Sequence, residues 1–165
     1  MAATVLIVAA ISLTGCSGSP GDAAIVEGVR LPEATVETAH QAYVQAASLK
    51  PDEARLSVVT VLIQDQIARQ LGARDGIATD QASLDKAIAG MQLTPLLAAG
   101  PEGKKLAEAA ARVQIVGSKL GDKFPVEAGK LDIELNPRYG TWDKAKVAVS
   151  GTSGSLSAAA PASNG

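Results

Sequence analysis

Apolar residues recur along the middle of the chain at the three- and four-residue spacing of amphipathic helices. The run "KPDEARLSVVTVLIQDQIARQLG" predicts the strongest helix, with Pro51 in its first turn and Gly72 at its end. Its apolar stripe consists of Leu56, Val59, Ile63, Ile67 and Leu71. Val58, Val61 and Leu62 widen this stripe, so we expect a central helix buried on more than one side.

Three further segments have helical spacing. They are "PEATVETAHQAYVQAAS", "ATDQASLDKAIAGMQ" and "PEGKKLAEAAARVQIVGSKLG". In the second of these, Thr79 is the expected N-cap. The stretch "TPLLAAGP" is expected to interrupt the helical pattern between the second and third segments.

Short strands are predicted at both ends of the helical region. "AAIVEGVRLP" indicates a short strand or hairpin that turns at Gly28. "KLDIELNP" alternates Leu131, Ile133 and Leu135 with charged residues, which predicts a half-buried strand. Pro137 would end this strand or confine it to the edge of a sheet. The predicted fold class is therefore mainly α, a four-helix module with a short N-terminal strand or hairpin and a C-terminal strand pairing beside it.

Composition narrows the class of protein. The 165 residues suit one domain with unstructured ends. Aromatic residues make up only 2% of the chain, so the core must consist of Leu, Ile, Val and Ala. A net charge of −2 gives no reason to expect nucleic-acid binding.

The first fifteen residues, "MAATVLIVAAISLTG", carry no charged side chain. As a helix they would reach roughly 20 Å, against about 30 Å of bilayer hydrocarbon, so they resemble a signal-peptide core rather than a membrane span. Signal peptides usually begin with Lys or Arg, and the lack of one here indicates either a start codon upstream or a sequence trimmed at its N-terminus.

The only cysteine, Cys16, directly follows this segment. Leu13, Thr14, Gly15 and Cys16 resemble the lipobox of bacterial lipoproteins, an aliphatic residue and two small ones before a cysteine. This resemblance implies cleavage between Gly15 and Cys16. It also implies acylation of Cys16 by diacylglycerol and, in some bacteria, a further chain such as palmitate. Two or more acyl chains hold a protein firmly in a bilayer, so we expect a lipid anchor on the extracytoplasmic face of the cell membrane.

The expected organisation has four parts. Residues 1–15 form the signal peptide, and residues 16–23 a flexible tether rich in Ser and Gly. Residues 24–146 form the helical domain. Residues 147–165 are expected to be a disordered tail, because Ser, Gly, Ala and Thr bury too little apolar surface to order themselves.

Three runs in the expected domain resemble the N-terminal domain of SurA-type extracytoplasmic chaperones. They are "AAIVEGVRLPEATVET", "LIQDQIARQLGARDGIATDQASLDKAIA" and the closing "LNPRYGTWD", which resembles the end of this domain in actinobacterial lipoproteins. The resemblance spans roughly Ala24 to Asp143. A chain of this length has no room for a parvulin isomerase domain beside that module.

The resemblance implies a chaperone-like protein that binds unfolded or exported polypeptides without isomerase activity. Its site would be an apolar groove among the helices. The alternative is a structural or assembly lipoprotein that binds one specific partner in the envelope.

Candidate catalytic chemistry is sparse, and we expect no enzyme, cofactor or metal. His40 is the only histidine, and it is expected to be solvated or to cap a helix rather than to act as a base. Lys104 and Lys105 lack the spacing of a phosphate loop and are expected to be solvated. One Cys and one His cannot form a metal cluster.

The stretch "NPRYGTWD" invites two interpretations. Arg138, Tyr139 and Trp142 combine a cation with two of the four aromatic residues, which suits partner binding. Alternatively, Tyr139 and Trp142 fasten the C-terminal strand to the helices. The second interpretation is the preferred one.

Overall fold

The long central helix organises the molecule. A computed structural model describes residues 21–47 and 51–151 of the chain. Helix α2, Pro51–Arg74, is the longest element, and Ile63, Ile67 and Leu71 of its predicted stripe are buried. It packs against the first helix, α1 (Glu33–Ala47), and most extensively against α5 (Gly100–Leu120). The prediction of a central helix is confirmed.

The remaining helices complete a mainly α fold, as predicted. Helix α3, Gln81–Gly90, packs on α5. Its N-cap is Asp80, whose carboxylate accepts the backbone N–H of Ser83 at 2.9 Å. The assignment of the cap to Thr79 was therefore wrong by one residue. Asp80 is the better cap here because its side chain reaches the N–H three residues on.

Two short helices add to the four predicted ones. Helix α4, Thr94–Ala98, forms where only an interruption was expected, because Pro95 falls in its first turn, where proline is tolerated. Helix α6, Lys123–Ala128, follows α5. Gly103 allows α4 and α5 to approach closely, since a Cβ at this position would collide with the carbonyl oxygen of Leu96.

The predicted terminal strands pair as expected. Strands β1 (Asp22–Val26), β2 (Val29–Pro32) and β3 (Ile133–Leu135) form an antiparallel sheet in the order β2-β1-β3. The register places Ala24 opposite Leu135 and Val26 opposite Ile133. The sheet therefore joins the two ends of the helical region.

The folded region extends past both expected domain boundaries. Strand β1 begins at Asp22, inside the expected tether. After a 3-10 turn, Pro137–Tyr139, strand β4 (Thr141–Asp143) pairs with β5 (Ala148–Ser150). Val147 is buried, and its carbonyl accepts a hydrogen bond from Gln64 of α2 at 2.7 Å. The expected tail boundary at residue 147 was wrong because this second strand docks on the central helix.

A buried ion pair joins the two longest helices. The Asp65 carboxylate of α2 accepts hydrogen bonds from Arg112 of α5 and, at 2.8 Å, from Arg69 of its own helix. Asp65 and Arg112 are 4% and 7% exposed. Because a buried charge is costly without a partner, this pair favours one arrangement of α2 against α5.

The expected signal peptide, the lipobox-like run with Gly15 and Cys16, and residues 152–165 lie outside the described residues. Within the described ranges, none of the helices combines the length and the apolar character needed to cross a bilayer.

Candidate functional site

Arg138, the cation of the closing stretch "NPRYGTWD", forms an ion pair within the protein. Its guanidinium lies 2.5 Å from the carboxylate of Glu33, the first residue of α1. The Arg138 side chain nevertheless remains 57% exposed. An exposed ion pair of this kind contributes little to stability, about 0–1 kcal/mol.

The first predicted aromatic residue, Tyr139, belongs to the core. It is 2% exposed, and its hydroxyl lies 3.2 Å from the same Glu33 carboxylate, to which it donates a hydrogen bond. Burial and the neighbouring carboxylate together raise the pKa of Tyr139. The hypothesis that Tyr139 contacts a partner was wrong, since a residue buried to this extent has almost no surface that a partner could reach.

The second aromatic residue, Trp142, lies in β4 and packs half-buried against the core. Its indole Nε1 is buried and has no hydrogen-bond partner among the described residues. The structure therefore gives Tyr139 and Trp142 the preferred role, that of fastening the C-terminal strands to the helices.

The other chemistry singled out in the sequence is structural as well. His40 is buried in α1, at 7% exposure, rather than solvated. Lys104 and Lys105 are exposed, as expected, and face Glu108 and Glu102. Across the described ranges, no group of three or more His, Cys, Asp or Glu side chains is placed to hold a metal ion.

A large open depression lies elsewhere, where the loop after α2 meets α3 and α5. It has a volume of about 760 Å³. Its lining combines aliphatic and small residues with two lysines: Gly76, Ile77, Ala78, Ser83, Lys86, Ala87, Ile115 and Lys119. Ile77, Ala87 and Ile115 are half-buried and pack on the core, so they form an apolar floor.

A second depression of about 670 Å³ adjoins the first. The two share Ile77 and Lys119, and the second continues past Arg74 to Lys123 and Glu127 of α6. We call the two depressions together the α3–α5 cleft. Its shape is an open surface trough rather than an enclosed pocket.

The acidic groups of the cleft are already paired. Asp75 lies 3.1 Å from Arg74, and Glu127 contacts Arg74 at 2.9 Å and Lys130 at 2.6 Å. Hydrogen bonds donated by Lys130 and Arg74 lower the pKa of Glu127, and the bonds that Arg74 donates to Asp75 and Glu127 raise the pKa of Arg74. These four side chains therefore neutralise one another at one edge of the cleft.

A smaller apolar cavity of about 130 Å³ lies between α1, α2, α4 and α5. Tyr43, Val61, Leu96 and Leu106 are among its lining residues. This volume is comparable to one large side chain, so the cavity is too small to receive an extended segment.

The α3–α5 cleft was not predicted from the sequence. Its lysines stand on three different helices, and no linear motif unites Lys86, Lys119 and Lys123. The sequence contains only an indirect indication. Ile77 and Ala87 are apolar residues that do not belong to the buried face of any predicted helix. Comparison with protein-family models, with characterised proteins and with solved structures finds no match to this chain.

Proposed function

We propose that this protein is a lipid-anchored extracytoplasmic module that binds extended segments of exported or unfolded polypeptides, without catalysis. The α3–α5 cleft is the observation that carries this proposal. Its two depressions have volumes in the range of ligand sites, and they run together as a trough that is open at the surface. A trough of this form accommodates a chain that passes through it.

The chemistry of the cleft suits weak and tolerant binding. Ile77, Ala87 and Ile115 offer an apolar floor, and small residues such as Gly76 and Ala78 admit side chains of different sizes. Only part of an extended segment would leave water in such a trough. Affinity is therefore modest and depends little on the exact client sequence.

The lipobox-like run that ends at Cys16 supports the proposed location. Strand β1 begins at Asp22, six positions after Cys16. Six residues reach at most about 20 Å even when fully extended. A lipid on Cys16 would therefore hold the folded body close to the bilayer, where exported chains emerge.

The binding claim is tested with the full chain purified in mild detergent. We expect it to suppress aggregation of an unfolded client protein at stoichiometric excess. Ala78→Trp, which fills the cleft, should reduce that suppression at least tenfold. Ala82→Trp is the matched control, because Ala82 is an exposed residue of α3 that does not line the cleft. Equal activity of the two variants would refute the cleft as the site, and no suppression by the parent chain would refute the function.

The anchor is tested separately in cells. Cys16→Ser should prevent acylation and release the protein from the membrane fraction, because the lipid chains provide the attachment. Mass spectrometry of the parent protein should show a lipid-modified Cys16 as the first residue. A single specific partner recovered by membrane cross-linking would favour an assembly lipoprotein instead.

A further inference from the structure

The cationic side chains of the molecule fall into two groups. Most lysines and arginines face a carboxylate within 4 Å. Among the described residues, the exceptions are Lys86, Lys119, Lys123 and Lys144. The first three border the α3–α5 cleft. Unpaired positive charge is therefore concentrated at one site of a chain whose net charge is −2.

We propose that the α3–α5 cleft selects acidic polypeptide segments, in which aspartate or glutamate alternates with aliphatic residues. This inference rests on the proposed function and names the class of segment that the site prefers. Aliphatic side chains would lie on the floor formed by Ile77, Ala87 and Ile115. Carboxylates of the same segment would face Lys86, Lys119 and Lys123.

The cleft has no acid left to satisfy these lysines. Asp75 and Glu127, the acidic residues that line it, are engaged by Arg74 and Lys130. Lys86, Lys119 and Lys123 make no ion pair among the described residues, so their positive charge is available to an external carboxylate. Lysine is a compact and flexible point charge, so three lysines attract acidic groups without demanding one geometry.

The lysines differ in what else they do. Lys119 lies in the last turn of α5, where a cation also offsets the negative end of the helix dipole. Lys86 lies in the middle of α3 and Lys123 at the start of α6, positions with no such need for a cation. Lys86 and Lys123 are therefore the residues that best separate a ligand role from a structural one.

The test uses fluorescence anisotropy with the full chain in mild detergent and three labelled twelve-residue peptides of equal length and apolar content. One contains aspartate and glutamate, the second contains asparagine and glutamine at those positions, and the third contains lysine. At low salt we expect the acidic peptide to bind about tenfold more tightly than the amide peptide. Near 1 M salt this preference should disappear, because screening shortens the range of the charges to about 3 Å.

The variant Lys86→Gln/Lys123→Gln should lose the preference while still binding the amide peptide. The control variant Lys105→Gln/Lys146→Gln removes the same amount of charge from exposed lysines outside the cleft. This variant should keep the preference for the acidic peptide.

The possible outcomes separate the acidic preference from the proposed function. Equal affinity for the acidic and amide peptides would overturn the acidic preference and leave polypeptide binding intact. Loss of the preference in both double variants would also overturn it, because the effect would then follow net charge alone. If no peptide binds, the proposed function falls. If no peptide binds but the Cys16→Ser chain, which carries no acyl anchor, binds vesicles of anionic phospholipid, the cleft serves the membrane surface and both proposals are wrong.

Discussion

The closing segment, residues 133–150, and the α3–α5 cleft differ in which side chains they contain and in where those side chains face. The closing segment contains two of the four aromatic residues and an arginine, and all three side chains make contacts within the fold. Tyr139 is buried, Trp142 packs on the core, and Arg138 pairs with Glu33. The cleft contains no aromatic residue, and its lysines face outward without carboxylate partners among the described residues.

The difference follows from the composition. With aromatic residues at 2%, large rings are scarce, and each contributes more apolar burial than an alanine or valine can. The closing segment consists of three strands and a 3-10 turn, each of three residues, which have few contacts of their own. Large side chains are therefore needed to hold it, whereas α3 and α6 beside the cleft pack against the long helix α5.

The largest effect is expected when the buried ring of the closing segment is removed. Tyr139→Ala should lower the free energy of unfolding by about 3–5 kcal/mol, because it leaves a cavity where the ring was. Urea denaturation followed by circular dichroism measures this change. A Tyr139→Ala protein that keeps its stability but loses peptide binding would contradict the structural role. The closing segment would then be a binding site, as the alternative interpretation of the sequence suggested.

The backbone of the same segment provides the second prediction. Gly140 has φ +112°, a conformation that side chains rarely adopt, and a Cβ there would lie 2.5 Å from the carbonyl oxygen of Ser150. Gly140→Ala should therefore cost about 2 kcal/mol of unfolding free energy. The matched variant Gly90→Ala, at a position with open space around it, should be neutral or slightly stabilising. Equal thermal midpoints for the two variants would contradict the described turn.

Helix periodicity and strand pairing could be predicted from the sequence, because each depends on local spacing. Ile63, Ile67 and Leu71 recur at the spacing of one helix face, and their burial follows directly. The pairing of β1 with β3 joins positions more than one hundred residues apart, yet each strand has a local signal. β1 precedes a turn at Gly28, and β3 alternates apolar with charged residues. The extra strand β5 carried none: "AVS" is short and lies beside a Ser- and Gly-rich tail. Its order comes from contacts with Gln64 and Thr60 of α2, which composition does not reveal.

The candidate site was harder to predict than the fold. Arg138, Tyr139 and Trp142 suggested a binding site because a cation and two aromatic rings lie close together in the sequence. Whether such residues face inward depends on tertiary contacts such as that between Tyr139 and Glu33. The lysines of the cleft are common residues, and only their three-dimensional placement, away from the carboxylates that pair the other cations, distinguishes them.

A smaller effect is expected at the Tyr139 hydroxyl. Its pKa is raised, so the unfolded chain loses this proton at a lower pH than the folded protein does. The stability that the neutral hydroxyl provides is complete below about pH 10 and is lost as the pH rises through the folded pKa. Tyr139→Phe should cost about 1 kcal/mol at neutral pH and should flatten the decline in stability above pH 10. Urea titrations of parent and variant at pH 8 and pH 11 measure both effects, and parallel losses in the two proteins would contradict the assignment.

The smallest expected effect on stability belongs to the cleft. Lys86→Gln/Lys123→Gln removes two exposed side chains that make no ion pair among the described residues, so the free energy of unfolding should change by less than about 0.5 kcal/mol. The change also relieves repulsion among the lysines of the cleft, which favours a small gain in stability. Urea denaturation at low and high salt distinguishes these cases, since repulsion disappears when screened. A loss of 2 kcal/mol or more would mean that the lysines support the fold. The cleft would then resemble the closing segment, and the contrast between a region built for closure and a region left open for a ligand would fail.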